Sequence, residues 1–145
     1  MDYDPFFPSV GPAYTAGFLH YLHDELGVTR EETYAVSAFG LTWDWEHRSP
    51  VTGRKQPWAD LRGDLARAIT ANPGLKVLVQ QGYYDLATPV TATRHDVAHL
   101  DIPAEARERI EIAYYEAGHM MYLHEPSLVK FREDLARFVR DADRL

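Results

Sequence analysis

Hydrophobic positions in the second half of the chain repeat with two different periods. Apolar residues recur at helical spacing over 57–71 and over about 126–141. Between these segments, 75–79 and 110–115 are short apolar runs of the kind found in strands buried on both faces. A further helix over 88–100 separates the two runs. The order helix, strand, helix, strand, helix predicts a parallel sheet with crossover helices.

Polar residues and prolines mark where these helices begin. Thr88 precedes Pro89, so we expect Thr88 to cap the third helix and Pro89 to occupy its first turn. Ser127 is expected to cap the last helix in the same way.

The first half of the chain has a less regular pattern. Residues 1–10 combine prolines with aromatic residues, which predicts an extended segment. A helix is expected over 13–26, with Gly27 as its C-terminal stop. The aromatic stretch 33–45 fits either one strand or a loop, and 46–57 is expected to be a loop.

Two strands are few for a parallel sheet. Such sheets normally have several strands and are covered on both faces. The two predicted strands would leave unpaired edges, which favours the interpretation that they are the end of a larger sheet.

Composition narrows the function without naming it. The 145 residues are 46% hydrophobic and 26% charged, as in one soluble globular domain. The net charge of −7 disfavours nucleic acid as a partner. The sequence has neither an apolar run long enough to span a membrane nor a signal-peptide pattern. Without cysteine, it has no disulfide, thiolate metal site or cysteine nucleophile. No cofactor is expected.

One acidic and one basic side chain follow the two predicted strands. Asp85 comes shortly after the first strand and His119 shortly after the second. Functional groups gather past the carboxyl ends of parallel strands, so we expect these two side chains to meet. The carboxylate would accept the imidazole Nδ1–H and leave Nε2 free to act as a base.

The residues around this pair resemble a known family. The segments VLVQQGYYDLATP (77–89) and AYYEAGHMMY (113–122), followed by Pro126 and the last helix, resemble the acid-bearing and histidine-bearing segments of the serine carboxypeptidases. The likeness is closest to bacterial members of that family, within the α/β-hydrolase fold. It implies a fold class of α/β: the C-terminal portion of an α/β-hydrolase parallel sheet with flanking helices, plus part of the cap insertion. Residues 1–56 would be the partial cap, and 57–145 the core segment.

The resemblance also implies roles for individual residues. Asp85 matches the triad acid, His119 the triad base, and Met120 the methionine that lines the pocket for the leaving residue. Strand alternation predicts that one tyrosine of each adjacent pair faces the site, and we select Tyr84 and Tyr115 as substrate-binding residues. The substrate would be a peptide that loses its C-terminal residue.

The family's nucleophile is missing from this sequence. A Gly-x-Ser-x-Gly elbow is absent, and none of the serines is flanked by the required glycines; they are Ser9, Ser37, Ser49 and Ser127. We therefore expect an N-terminal portion or a second chain to supply the serine, and this chain alone to be inactive. The complete parent could be periplasmic or secreted, and the compartment stays open.

Other interpretations remain beside this one. His95 and His99 are spaced to share a metal ion, but a solvated helix face is favoured because no third ligand can be named. Trp43, Trp45 and Trp58 fit packing better than a pocket wall. The alternative functions are an esterase or acyltransferase of the same fold and a non-catalytic module that self-associates through its strand edges.

Overall fold

The computed structural model describes residues 5–29, 34–35, 40–42 and 44–142. The chain is mixed α/β with a small parallel sheet. It divides into two compact units, Met1–Asp44 and Trp45–Leu145. The boundary between the two units, after Asp44, lies earlier in the chain than the boundary after residue 56 expected from the sequence. Residues 45–56 therefore belong to the second unit.

In the described part of the first unit, one helix is followed by a wider turn. Helix α1 spans Phe6–His20 and continues as a π-helical turn over Tyr21–Glu25. The extended segment expected over 1–10 is therefore wrong for 6–10. Ser9 Oγ donates to the Pro5 carbonyl at 2.7 Å, which supports the first turn. Of the aromatic stretch 33–45, residues 33, 36–39 and 43 lie outside the described residues, and these include Ser37 and Trp43.

Gly27 ends this helical segment as the sequence predicted. Its φ is +64°, a left-handed conformation that glycine adopts without a steric penalty. The Val28 N–H donates to the Leu22 carbonyl at 2.9 Å, across the glycine. The stop signal in the sequence is confirmed, although the helix begins earlier than expected.

The second unit opens with a short antiparallel hairpin. Strands β1 (His47–Arg48) and β2 (Lys55–Gln56) pair across a turn in which Gly53 has a φ of +66°. Ser49 Oγ accepts the Val51 and Thr52 N–H groups, each at 3.2 Å. The expected loop over 46–57 therefore contains a hairpin.

Helix α2 spans Arg62–Ala71 and begins five residues later than predicted. Asp60 Oδ1 accepts the Arg62 N–H at 3.1 Å, so the chain turns into the helix at that point. Trp58 and Leu61 precede the helix and are 67% and 58% exposed, so neither belongs to its buried face.

The parallel sheet predicted from the alternating pattern is confirmed for its two strands. Strand β3 (Val77–Gly82) pairs with β4 (Ile110–Tyr115) in parallel, from Val77 opposite Ile110 to Gly82 opposite Tyr115. β3 extends to Gly82, beyond the predicted end at residue 79, because Gln80 and Gln81 continue the ladder. The register places the carboxyl ends of both strands side by side.

Helices cover both faces of the sheet. On the face of Val77 and Ile110 lies the main core, formed by residues of α2, the 100–102 segment and α4 (Ala104–Arg107): Ala66, Ile69, Leu100, Ile102 and Ala106. On the other face, α5 (Glu125–Ala142) packs through Phe131 against Tyr115. Helix α3 (Val90–Ala98) follows strand β3 in the chain and leads into the 100–102 segment of the core.

The sheet is less buried than its sequence suggested. Val77, Leu78 and Val79 are each half-buried, and no third strand pairs with β3 or β4 among the described residues. Several large apolar side chains are exposed, such as Leu86 at 92% and Val129 at 59%. In the part of the chain that is described, no helix has the length and hydrophobicity needed to cross a membrane.

Candidate active site

The carboxyl ends of β3 and β4 are joined by closely packed backbone. The Tyr83 N–H donates to the Tyr115 carbonyl at 2.9 Å, and the Tyr84 N–H to the Ala117 carbonyl at 3.0 Å. A Cβ at Gly82 would lie 2.3 Å from the Gly118 carbonyl oxygen and 2.5 Å from that of Ala117. Only glycine allows this approach, which brings the loop after each strand to the same place.

Asp85 and His119 meet at this edge of the sheet. His119 Nδ1 lies 3.0 Å from Asp85 Oδ2. The Asp85 side chain is only 4% exposed, whereas that of His119 is 59% exposed. An ionised carboxylate only accepts hydrogen bonds, so Nδ1 carries the proton of the neutral imidazole. Nε2 is then an acceptor, and no described residue hydrogen-bonds to it.

The Asp85 carboxylate is held by several donors besides His119. Oδ1 accepts the N–H groups of Ala87 at 2.9 Å and Thr88 at 2.8 Å, and Oδ2 accepts the Thr88 hydroxyl at 2.6 Å. Burial by itself raises the pKa of Asp85, but the hydrogen bonds from Thr88, His119 and Ala87 together hold that pKa well below its usual range. Asp85 is therefore ionised at neutral pH and can stabilise a protonated His119.

Thr88 does not cap a helix, contrary to the sequence prediction. Helix α3 begins at Val90 with Pro89 in the capping position, and no side chain caps its N-terminus. The Thr88 hydroxyl turns toward Asp85 instead, because the buried carboxylate is the stronger acceptor.

Gln81 is a buried polar residue that the sequence analysis did not select. It is 4% exposed, and its amide donates to the Thr88 carbonyl at 3.0 Å and lies 3.5 Å from Asp85 Oδ2. A glutamine inside an apolar strand pattern is the one sequence signal that could have indicated it, since a buried amide needs partners.

The expected substrate-binding residues occupy different environments. Tyr84 is 65% exposed beside the pair, and Met120 is partly buried directly after His119. Tyr115 is 1% exposed, with its hydroxyl donating to Asp134 Oδ2 at 3.0 Å and accepting from Gln80 at 2.8 Å. Packing against α5 accounts for Tyr115, and its expected contact with substrate finds no support in this position.

The tyrosines not selected from the sequence form a stacked pair. The rings of Tyr83 and Tyr114 are 5.1 Å apart and nearly parallel, at 11°. Tyr83 is 50% exposed, so this pair presents an aromatic surface next to the loop that carries Asp85.

The described serines are engaged elsewhere. Ser9 and Ser49 stabilise local turns. Ser127 is 4% exposed and lies inside the first turn of α5, with its Oγ 2.8 Å from His124 Nδ1. The helix begins at Glu125, so the expectation that Ser127 occupies the capping position is wrong. None of these three hydroxyls hydrogen-bonds to His119.

Among the residues that the structure describes, the histidines outside the pair do not assemble a metal site. The rings of His95 and His99 stack at 4.0 Å, and His99 Nδ1 donates to the His95 carbonyl at 2.8 Å. Within the described ranges, no group of three or more histidine and acidic side chains could hold a metal ion.

A cavity of about 610 Å³ lies in the second unit but does not include the pair. It is lined by the hairpin, α2 and the loop after α3, with Gln56, Arg67 and His99 among its polar residues. Neither Asp85 nor His119 lines it. We assign the candidate site to the pair, because it combines the position at the strand ends with a hydrogen-bonded acid and base.

Comparison with protein-family models, curated proteins and solved structures gives no match for this chain.

Proposed function

We propose that this chain supplies the acid–base half of a serine hydrolase site of the α/β-hydrolase type. The observation that carries the proposal is the 3.0 Å contact between His119 Nδ1 and the buried Asp85 carboxylate, at the ends of adjacent parallel strands. In that fold the acid precedes the histidine along the chain, as here.

The proposed chemistry is proton transfer by His119 during acyl transfer. Nε2 takes the proton of a serine hydroxyl as the oxygen attacks a carbonyl carbon, and Asp85 stabilises the resulting imidazolium. The imidazolium then protonates the leaving group as its bond to the acyl carbon breaks. Water hydrolyses the acyl-enzyme by the same route.

The serine would come from a polypeptide segment that these residues do not contain. The unpaired edges of β3 and β4 are a place where further parallel strands could add. A strand-to-helix elbow on such a strand would present its serine at the edge of the sheet that carries His119.

Within this class, we propose a serine carboxypeptidase. This finer proposal rests on the resemblance of 77–89 and 113–122 to that family, including Met120 directly after His119. Tyr84 is exposed and precedes Asp85, and partly buried Met120 follows His119, so we propose both as contacts of the substrate residue that leaves.

The test is labelling with a fluorophosphonate, which reacts with activated serines. The tagged chain is purified from the cells that encode it, together with whatever remains bound, and native mass is recorded. We expect an adduct on a co-purifying chain or segment. H119Q should abolish labelling, whereas H95Q, at an exposed histidine away from the pair, should retain it.

Different outcomes separate the alternatives. An adduct on this chain itself would contradict an external nucleophile. No adduct, together with a mass that is a multiple of this chain, would contradict a hydrolase and favour the self-associating module. If an adduct forms, cleavage of a peptide with a free C-terminus but not of its C-terminal amide would distinguish the carboxypeptidase from an esterase.

A further inference from the structure

Two backbone N–H groups already fix one oxygen of Asp85, as in many turns that follow a strand. Ala87 and Thr88 donate to Oδ1 at 2.9 and 2.8 Å. These bonds orient the carboxylate relative to its own loop. They do not determine the position of the other oxygen, Oδ2, relative to His119.

The Thr88 hydroxyl is the second close partner of Oδ2. Thr88 Oγ1 lies 2.6 Å from Oδ2 and 3.4 Å from His119 Nδ1. The three atoms form a triangle in which the hydroxyl has two acceptors to choose from. If it donated to Nδ1, the imidazole proton would have to be on Nε2, and the base would lose its lone pair.

A hydroxyl that donates to the carboxylate has the opposite effect. Nδ1 then keeps its own proton and donates it to Oδ2 at 3.0 Å. A bond to an ionised carboxylate is stronger than one to a neutral imidazole nitrogen, and the 2.6 Å distance is typical of a charge-assisted bond.

Gln81 fixes the position from which Thr88 acts. The Gln81 amide donates to the Thr88 carbonyl at 3.0 Å and to the Gly82 carbonyl at 3.1 Å, so it ties the two ends of the loop together. Its own carbonyl oxygen accepts the Thr93 hydroxyl from α3 at 2.6 Å. The loop that carries Asp85 is thereby anchored to a helix as well as to the sheet.

We infer that Thr88, anchored by Gln81, is a positioning residue that holds Asp85 Oδ2 toward His119 and so keeps the imidazole proton on Nδ1. This inference rests on the proposed function, because it assigns the state in which Nε2 is available as the base. Thr88 acts on His119 through the Asp85 carboxylate, so its role is positioning.

The test reads the imidazole directly in the 145-residue chain and needs no turnover. Long-range ¹H–¹⁵N spectra at a pH where His119 is neutral report the ratio of its two tautomers. We expect the Nδ1–H form to predominate, and T88V to lower its ratio to the Nε2–H form about threefold or more. T88S, which restores the hydroxyl, should recover the native ratio. T91V, at an exposed threonine of α3, should leave it unchanged.

A second measurement needs no substitution and covers the case in which T88V fails to fold. The Thr88 side chain should populate one χ1 rotamer, the one that places Oγ1 2.6 Å from Asp85 Oδ2, as read from three-bond couplings in the native chain. Averaging over several rotamers in the folded native chain would overturn the inference.

D85N separates failure of the inference from failure of the proposed function. A tautomer ratio that changes in D85N but not in folded T88V would overturn the role of Thr88 and leave the Asp85–His119 pair intact. A ratio that changes in neither variant would show that the pair is not coupled, and the proposed function would fail with it.

Discussion

Gly82 lies where the two sheet-end loops come closest, so it is the most restrictive residue of the site. We predict that G82A destabilises the chain by about 3 kcal/mol, because the new Cβ would lie 2.3 Å from a backbone oxygen that belongs to the partner loop and has little room to move. Urea unfolding followed by circular dichroism measures this change.

Gly74 provides the matched control. A Cβ there would meet nothing within 4 Å, and its φ lies outside the left-handed region. G74A should change the free energy of unfolding by no more than about 1 kcal/mol, in the stabilising direction. If G82A lowered the free energy of unfolding no more than G74A does, the result would contradict the close approach of the two loops.

The ionisation of Asp85 links this site to the pH dependence of stability. Its pKa is depressed in the folded chain, since the hydrogen bonds from Thr88, His119 and Ala87 outweigh burial. The ionised Asp85 therefore adds to the free energy of unfolding above its ordinary pKa of about 3.9. This contribution is lost as pH falls through the lower pKa that Asp85 has in the folded chain.

We expect D85N to flatten the decrease in the free energy of unfolding below about pH 4, since residue 85 then has no proton to take up. Denaturant titrations at a series of acidic pH values test this. Asp60, whose pKa the hydrogen bond from Arg62 lowers to about 2, contributes in the same direction and is present in both proteins. Parallel curves for D85N and the native chain would contradict a depressed pKa at Asp85.

The two residues of the candidate site were easier to predict than the residues that support them. Asp85 and His119 follow apolar runs, and parallel strands end at a common edge, so their meeting could be expected. Thr88 also looks like a helix cap in sequence, and only the buried carboxylate nearby shows which acceptor its hydroxyl meets. Tyr115 was assigned to the site because alternation gives two faces but does not say which one a helix covers.

At the scale of elements, α2 contributes the most deeply buried aliphatic side chain. Ile69 is fully buried and belongs to the core cluster that α2 forms with residues of the 100–106 segment. We predict that I69A costs about 2–5 kcal/mol through a cavity, and I69V about 1 kcal/mol. In so small a core, I69A should remove cooperative thermal unfolding altogether.

The control for Ile69 is a leucine of similar size outside the core. Leu61 is 58% exposed just before α2, so L61A should stay within about 0.5 kcal/mol of the native chain. Equal losses for L61A and I69A would contradict the assignment of the buried face of this helix.

Elements with one strong local signal were predicted well, and those with competing signals were not. β4 was predicted with its observed bounds because six residues of mainly β-branched and aromatic character have no helical alternative. The N-terminal segment was predicted as extended because of its prolines, yet Pro8 lies in the first turn of α1, where a missing N–H has no cost. Proline restricts φ to a value that both conformations share, so composition could not decide between them.

At the scale of the whole molecule, the second unit leaves much apolar surface uncovered. The exposed residues of α5 include Leu128, Leu135 and Val139, which recur at helical spacing. We predict that the isolated chain associates as its concentration rises, since this surface and the unpaired strand edges have no cover within the described residues.

Light scattering and sedimentation at increasing concentration measure that association. L135K/V139K should shift it to higher concentration by about tenfold or more, while the circular dichroism spectrum stays native. R132K, on the same helix, should have no effect. Unchanged association in the double variant would assign the contact to the strand edges instead of α5.

The sequence by itself determined the alternation of helices and strands from residue 57 onward, the parallel direction of the two strands, and the two residues at their ends. These follow from local periodicity and from a general rule about parallel sheets. Tertiary structure alone decided that Thr88 and Gln81 hold the carboxylate, that Tyr115 lies beneath α5, and that Gly82 must lack a side chain. Each of these depends on which side-chain and backbone groups come within about 3–4 Å of one another once the chain is folded, because hydrogen bonds form and side chains pack at that range.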